Sequence, residues 1–475
     1  MTGSAPLTPP SATPDPAAPA DPAQLLRSRE YLVLLVFSGV IGVPVAIAAY
    51  VFLYAVGKSQ TFVFTTLPSD LGFDSTPTWW PLPVLALGGL LVALVIRHLP
   101  GMGGHSPADG LKTGGGPAQA IDLPGIVAAA FVTLSAGVVL GPEAPLIALG
   151  GGLGAWAVHL AKKDAPPQAA VVIGLAGSFA AVSTLLGSPI VGAFLLMEMV
   201  GIGGAMMGVV LVPGLLAAGI GSLIFVGLDN WTGFGTFSLA ISGIPAFGTP
   251  TLAEFLWAIG IGVAAAMIGA AIHYAAKRVR TAVTPHMVFL MPILGLAIAS
   301  LAILFEQTTN KDSSLVLFSG QSALAPLIHE AGTFTAGALV MLLICKGLAY
   351  GLSLSSFRGG PVFPGVFLGA TMGIALSHLP GLPMIAGAGM GMGAMTAAML
   401  GMPLTAVLLT TVFLGSDGLD MMPIVIVAVV VSYVASARLQ ALIEPPHSHQ
   451  PASPESAGEG SKTRPSTVKA PAPTR

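Results

Sequence analysis

The chain has 475 residues, of which 54% are hydrophobic and only 8% are charged, and its formal net charge is −2. Soluble domains carry about 25% charged residues, so this composition indicates a membrane protein, and the lack of a basic stripe argues against nucleic acid as a partner. A single cysteine, Cys345, excludes an internal disulfide framework and a cysteine-based metal site.

The two ends of the chain differ from its middle. Residues 1–27 are rich in Pro, Ala and Ser and lack the apolar core of a signal peptide, and residues 444–475 have a similar composition. Segments of this kind cannot bury enough apolar surface to fold, so both are predicted to be disordered tails. Between them, residues 28–443 are predicted to form one membrane domain in two halves, about 28–230 and 250–443.

The apolar runs between the tails alternate between long and short. Tyr31–Val56 is long enough to cross a hydrocarbon core of roughly 30 Å. Short runs broken by Gly and Pro cannot each cross it as simple helices, and irregular backbone is tolerated there only where protein or a watery cavity covers it. This pattern predicts an all-α polytopic membrane protein with broken and tilted helices. The later runs are 81–96, 125–140, 145–160, 169–186, 190–200, 202–227, 252–276, 287–305, 334–354, 364–379, 383–400, 403–414 and 421–437.

The two halves contain similar Gly- and Pro-rich segments that interrupt a helix (breakers), and these segments come in the same order. In the first half, GPEAPL at 141–146 is followed by LGSPIVGAFLL at 186–196. In the second half, GPVFPGVF at 360–367 is followed by LGMPLTAVLL at 400–409. A breaker bracketed by Gly and Pro thus precedes a Leu-Gly-X-Pro helix start by about 40 residues in each half. This correspondence predicts an internal repeat with inverted topology.

Glu143 is a charge placed between two apolar runs, directly after Pro142. A carboxylate at membrane depth costs at least a few kcal/mol, so it is by default a functional-site hypothesis. A helix start offers free N–H groups and the positive end of the helix dipole, which together bind anions. Three breakers are predicted to begin half-helices that bind an anion jointly, with ordinary loop turns as the alternative. They are residues 101–110, 141–145 and 359–364.

These residues resemble the motifs of the CLC family of chloride channels and chloride/proton antiporters. The resemblance extends over about residues 100–440 and implies a CLC-like inverted repeat and a homodimer in which each subunit has its own pore. The similar stretches are GGHSP at 103–107 for the family's GSGIP, GPEAP at 141–145 for G(K/R)EGP, GPVFP at 360–364 for GxFxP, MEM at 197–199 for EEM, and MPLT at 402–405 for APLTG.

The resemblance also implies roles for single residues. Glu143 aligns with the gating glutamate, which competes with anions and carries a proton when neutral. Glu198 aligns with the inner proton-transfer glutamate, and a satisfied carboxylate near the cytoplasmic edge is the alternative. The anion-binding residues implied are Gly104, His105, Ser106, Glu143, Ala144, Val362, Phe363 and Gln440.

Two hydroxyl groups of the family's anion site are missing from the aligned positions. The serine of the first motif falls on Gly104, where His105 or Ser106 either substitutes for it or forms part of a loop. The pore tyrosine falls on Leu439 or Gln440. The central anion site is therefore expected to depend mainly on backbone N–H groups.

Proline occupies two positions where the family offers backbone donors. Pro142 and Pro361 have no N–H, although proline suits the first turn of a helix. Another intramembrane charge, Lys346, is predicted either to contribute its field to the anion path or to pair with an Asp or Glu.

The sequence therefore predicts transport of chloride or a similar small anion. Glu143 and Glu198 favour a chloride/proton antiporter, whereas the lost hydroxyls favour a passive chloride channel or a preference for another anion. A membrane protein that has lost transport is a third alternative, which the intramembrane carboxylates argue against. No enzymatic activity, cofactor or metal is expected. The expected partners are the anion, protons and membrane lipid, and the expected location is the plasma membrane of a bacterium.

Overall fold

The computed structural model describes residues 26–111, 116–201, 206–233, 239–244 and 247–443. The tails predicted at 1–27 and 444–475 lie outside these ranges, apart from Leu26 and Arg27. Within the described ranges, eight helical segments are long and apolar enough to cross a membrane. The described residues contain no strand beyond one isolated bridge, which confirms the predicted all-α class.

Fifteen helices of nine or more residues are distributed over the two halves of the described chain. The first half contains α1 (Arg29–Thr61), α2 (Pro81–His98), α3 (Leu123–Ser135), α4 (Glu143–Ala161), α5 (Pro167–Leu186), α6 (Pro189–Val200) and α7 (Met206–Thr232). The second half contains α8 (Leu252–Val283), α9 (Met287–Thr309), α10 (Gln321–His329), α11 (Ala336–Ser356), α12 (Val362–Leu376), α13 (Met384–Leu400), α14 (Pro403–Phe413) and α15 (Gly418–Ile443). The first helix continues through a π-helical turn, Phe62–Thr66, into Leu67–Asp70.

The predicted repeat of broken helices is present in both halves. In each, a helix that begins at a breaker packs along the next helix: α4 along α5, and α12 along α13. The second helix of each pair ends at a glycine in the left-handed conformation, Gly187 (φ 60°) or Gly401 (φ 67°). A short helix that begins with proline follows in both cases, because glycine can terminate a helix and proline fits the first turn of the next.

The first breaker does not begin a half-helix, so that prediction was wrong. Residues 100–110 form only two short 3₁₀ turns, Pro100–Gly103 and Pro107–Asp109. Met102 and four glycines have positive φ angles, and a left-handed backbone cannot extend a right-handed helix. The next helix, α3, begins only at Leu123. The four glycines are Gly101, Gly103, Gly104 and Gly110.

The apolar run 125–140 is not helical throughout. Helix α3 ends at Ser135, and Gly137 (φ 81°) turns the chain into an extended segment. The Gly137 carbonyl accepts a hydrogen bond from the Phe318 N–H at 2.9 Å, and the Val139 N–H donates to Ser353 Oγ at 3.2 Å. The segment is apolar because protein surrounds it on all sides, and it carries the chain from α3 to the start of α4.

Lys346 is fully buried on α11. Its Nζ donates to four backbone carbonyls at 2.9 to 3.3 Å and lies 4.5 Å from the centroid of the Phe367 ring. These carbonyls follow the 3₁₀ turn Ser313–Leu315 and include its last residue, so the ammonium group satisfies acceptors that this turn leaves open. The predicted pairing with an Asp or Glu is wrong, since carbonyl groups take that place. The four acceptors are Leu315, Val316, Leu317 and Phe318.

Candidate functional site

The second and third breakers lie in direct contact. The Gly141 N–H donates to the Gly360 carbonyl at 2.8 Å, and the Gly360 N–H donates to the Gly141 carbonyl at 2.6 Å. This isolated antiparallel bridge sets the N-terminal ends of α4 and α12 beside each other. Two helix starts, each with free N–H groups and the positive end of its dipole, therefore converge on one place in the protein.

The Glu143 carboxylate spans the gap between these two helix starts. Its side chain is fully buried, and Oε1 accepts a hydrogen bond from the Phe363 N–H at 3.0 Å. Oε2 has no hydrogen-bond partner among the described residues. A carboxylate from one half of the repeat thus occupies a donor at the helix start of the other half, where the dipole favours a negative charge.

The glycines of the bridge make room for this carboxylate. A Cβ atom placed on Gly141 or Gly360 would collide with the carboxylate oxygens of Glu143. Any larger residue at either position would therefore displace the side chain from the Phe363 N–H.

A cavity of about 600 Å³ lies beside these helix starts and is lined by residues of all three breakers, although Glu143, Val362 and Phe363 are not part of its lining. The first breaker contributes its loop although it forms no half-helix. From the predicted anion site, the cavity includes Gly104, His105, Ser106 and Ala144, together with Gly359 and Pro361 of the third breaker.

The predicted anion-site residues differ in what they expose to this cavity. Ser106 is only 9% exposed, and its Oγ has no hydrogen-bond partner within the described chain. His105 is exposed, and Gly104 (φ 85°) has a left-handed backbone. Val362 and Phe363 are buried in the first turn of α12.

Gln440 lies elsewhere. It lines a second cavity of about 470 Å³, together with residues 108–110 of the first breaker, His273 and Lys277 of α8 and the end of α13. The structure therefore brings the other predicted residues together at the three breakers and places Gln440 in a different cavity, which the end of the first breaker also lines.

Glu198 caps a helix. Its Oε1 accepts from the Leu404 N–H at 2.9 Å, and its Oε2 accepts from the Thr405 N–H at 2.7 Å and the Thr405 hydroxyl at 2.5 Å. In the first half, Ser188 caps α6 with its own hydroxyl. The corresponding residue before α14 is Met402, which offers no cap, so Glu198 supplies the acceptors instead.

Two residues near the site were not predicted from the sequence. Arg358 lines the cavity, with Nη2 donating to the Met102 carbonyl at 3.3 Å and Nη1 to the Ser356 carbonyl at 3.1 Å. The Tyr350 hydroxyl donates to the Pro361 carbonyl at 2.7 Å at the start of α12. The arginine directly before the third breaker was a visible signal, since charges are rare in this chain, whereas the tyrosine was hidden in an apolar run.

Comparison with known proteins decides the family. A family profile described as "Voltage gated chloride channel" matches residues 84–437. The chain belongs to the voltage-gated chloride channel (CLC) family. The resemblance predicted from the motifs is confirmed, and the protein is a multi-pass membrane protein of an anion-transport family.

Relatives and solved structures agree with this assignment. The protein YfeO of Salmonella newport (strain SL254), provisionally named an ion-transport protein, is 28% identical over 366 residues, which are 75% of this chain and 84% of the relative. YfeO of Salmonella typhimurium (strain LT2) matches with the same figures.

Three solved structures share the fold. A slow cyanobacterial Cl⁻/H⁺ antiporter has a TM-score of 0.68 at 20% identity, covering 87% of this chain and 99% of that one. A CLC-type fluoride/proton antiporter has a TM-score of 0.65 at 20% identity, with coverages of 86% and 96%. A eukaryotic CLC transporter has a TM-score of 0.63 at 14% identity, with coverages of 87% and 75%. The predicted CLC-like inverted repeat is therefore confirmed.

Proposed function

We propose that this protein exchanges chloride, or a similar small anion, for protons across the membrane, with Glu143 as the gate. The observation that carries the proposal is the hydrogen bond from the Phe363 N–H to the buried Glu143 carboxylate. The ionised carboxylate takes up a donor that an anion would otherwise use. Protonation removes its charge, so the neutral side chain competes poorly with an anion at the two helix starts.

The relatives support proton coupling and leave the anion open. Of the solved structures with this fold, one is a Cl⁻/H⁺ antiporter and another a fluoride/proton antiporter. Assembly as a homodimer surrounded by lipid in a bacterial plasma membrane belongs to the same proposal. It is supported by the family resemblance and, for the bacterial source, by the Salmonella relatives.

A passive anion channel is the second candidate, and the geometry of Glu198 favours it. Three donors from the start of α14 occupy this carboxylate, as expected of a structural cap. These hydrogen bonds hold the carboxylate at the helix start, where it satisfies N–H groups that α14 leaves open. The two candidates therefore differ in whether Glu198 exchanges protons during transport.

Paired flux measurements test the proposal. The purified protein is reconstituted in liposomes with a chloride gradient, and chloride efflux and proton movement are recorded together. Uphill proton movement driven by the chloride gradient supports the antiporter, chloride flux without it supports the channel, and no flux of chloride, fluoride or nitrate contradicts both.

Glu198→Gln is expected to abolish proton movement while anion efflux continues. The amide keeps one acceptor for the helix start but carries no exchangeable carboxyl proton, so we expect a stability loss of about 1 kcal/mol as well. Glu254→Gln is the matched control, because Glu254 caps the start of α8 by accepting from the Thr251 N–H at 2.8 Å. Both variants should lose similar stability in detergent. If Glu198→Gln still couples proton movement to anion flux, Glu198 acts only as a helix cap.

Ser106→Ala is expected to raise the half-saturating chloride concentration about threefold with no loss of stability. The hydroxyl is buried without a partner in the described structure, so its removal costs no internal hydrogen bond but removes a donor from the cavity. Ser183→Ala provides the control, since the Ser183 hydroxyl is also buried and unpartnered in the described chain but does not line this cavity. Identical chloride dependence in the two variants would remove Ser106 from the anion site.

A further inference from the structure

Arg358 lies where the third breaker meets the loop of the first. Its guanidinium donates to the carbonyls of Met102, Ser356 and Phe357 at 3.1 to 3.3 Å. Three of its five N–H groups are used in this way, and of the two that remain the one on Nε is buried and has no hydrogen-bond partner among the described residues. The group is thus held in place by neutral acceptors, and these hydrogen bonds leave its positive charge unpaired.

The charges around the cavity do not neutralise Arg358 through a contact. Among the described lining residues, the other titratable side chains are Asp122 and the exposed His105. The nearby Asp109 already pairs with Arg280, with 2.6 Å between Oδ1 and Nη1. A buried or half-buried cation without a contacting carboxylate is costly, which makes a purely structural reason for an arginine here insufficient.

We propose that Arg358 is an anion-binding residue of this cavity, which attracts and coordinates a monovalent inorganic anion on its way to the helix starts at Glu143. The inference rests on the proposed function and deepens it. The guanidinium stays charged at any physiological pH and is weakly hydrated, and the N–H groups that the carbonyls leave open can donate to an anion. It compensates for the hydroxyl groups that are absent from the aligned anion-site positions.

Three variants test this role in liposomes, each checked for a monodisperse peak in detergent. Arg358→Gln removes the charge, Arg358→Lys keeps it without the planar fork, and Arg97→Gln removes an equal charge from an exposed arginine outside the cavity lining. Arg358→Gln should raise the half-saturating chloride concentration about tenfold, with the maximal rate within about twofold. Arg358→Lys should stay within about threefold of the unmodified protein, and Arg97→Gln should match it. An impermeant salt should shrink the effect of Arg358→Gln.

Two outcomes would overturn the inference while leaving the proposed function intact. One is an unchanged half-saturating concentration in Arg358→Gln. The other is a defect in Arg358→Lys as large as that in Arg358→Gln, since the fork would then serve only to hold the Met102 carbonyl. If Arg358→Gln does not fold, Arg358→Lys tests the inference instead. A tenfold rise in its half-saturating chloride concentration would contradict a role of the positive charge. Absence of anion flux in the unmodified protein would instead overturn the proposed function itself.

Discussion

Glu143→Gln is expected to abolish proton movement while anion flux continues and loses its dependence on pH. Glutamine has the shape of a protonated glutamate, so its amide oxygen can still accept from the Phe363 N–H. It carries no charge, however, and a hydrogen bond to a charged acceptor contributes about 1.5–3 kcal/mol against about 1 kcal/mol for a neutral one. The anion therefore meets a weaker competitor at the helix start at every pH. In the unmodified protein, acidification produces this neutral form, so flux should rise as pH falls.

Liposomes loaded with chloride and a pH indicator measure both quantities over a range of pH. Glu306→Gln is a suitable control, because Glu306 lies at the end of α9 and accepts from the Thr78 hydroxyl at 3.0 Å, far along the chain from the bridge. Proton movement that persists in Glu143→Gln would show that another group carries the proton. A flux that keeps the original pH dependence would place the gate elsewhere.

Several local signals in the sequence agreed on Glu143 as the candidate gate. The cost of a carboxylate at membrane depth singled out Glu143, Pro142 indicated a helix start, and the repeat supplied the matching breaker in the other half. The bridge between Gly141 and Gly360 was not predictable, since it depends on how two distant segments pack. Contact between the halves turns two separate helix starts into one site.

The wrong prediction at residues 101–110 has a different cause. Glycine permits both a helix start and a left-handed turn, and nothing in the local pattern distinguishes them. The sequence allowed a satisfied carboxylate at Glu198 but not the identity of its partners. They lie at the start of α14, where the side chain of Met402 provides no cap. A hydrogen-bond partner that comes from a distant segment of the chain becomes apparent only in the three-dimensional structure.

Lys346→Met is expected to destabilise the protein by about 3 kcal/mol. Methionine fills a similar volume, but it donates no hydrogen bond, so four buried carbonyls lose the ammonium group that satisfies them. Each bond to a charged donor contributes about 1.5–3 kcal/mol, and relief of the desolvation cost of the buried ammonium offsets part of the loss. Unfolding in detergent, followed by heating or by added denaturant, measures the change.

Lys311→Met is the matched control, since Lys311 is only half-buried and donates to a single hydroxyl, that of Thr333 at 3.0 Å, while its Nζ lies 4.3 Å from the centroid of the Phe334 ring, much as Lys346 lies over Phe367. We expect it to change stability by less than about 1 kcal/mol. Equal stability of the two variants would mean that desolvation of the Lys346 ammonium cancels its hydrogen bonds.

Lys346→Met is also expected to change the position of Glu143. Lys346 donates a hydrogen bond to the Phe318 carbonyl, and the Phe318 N–H donates to the Gly137 carbonyl at 2.9 Å. The second contact positions the extended segment that leads to Glu143. A folded Lys346→Met protein should therefore transport anions more slowly, whereas Lys311→Met should transport them normally.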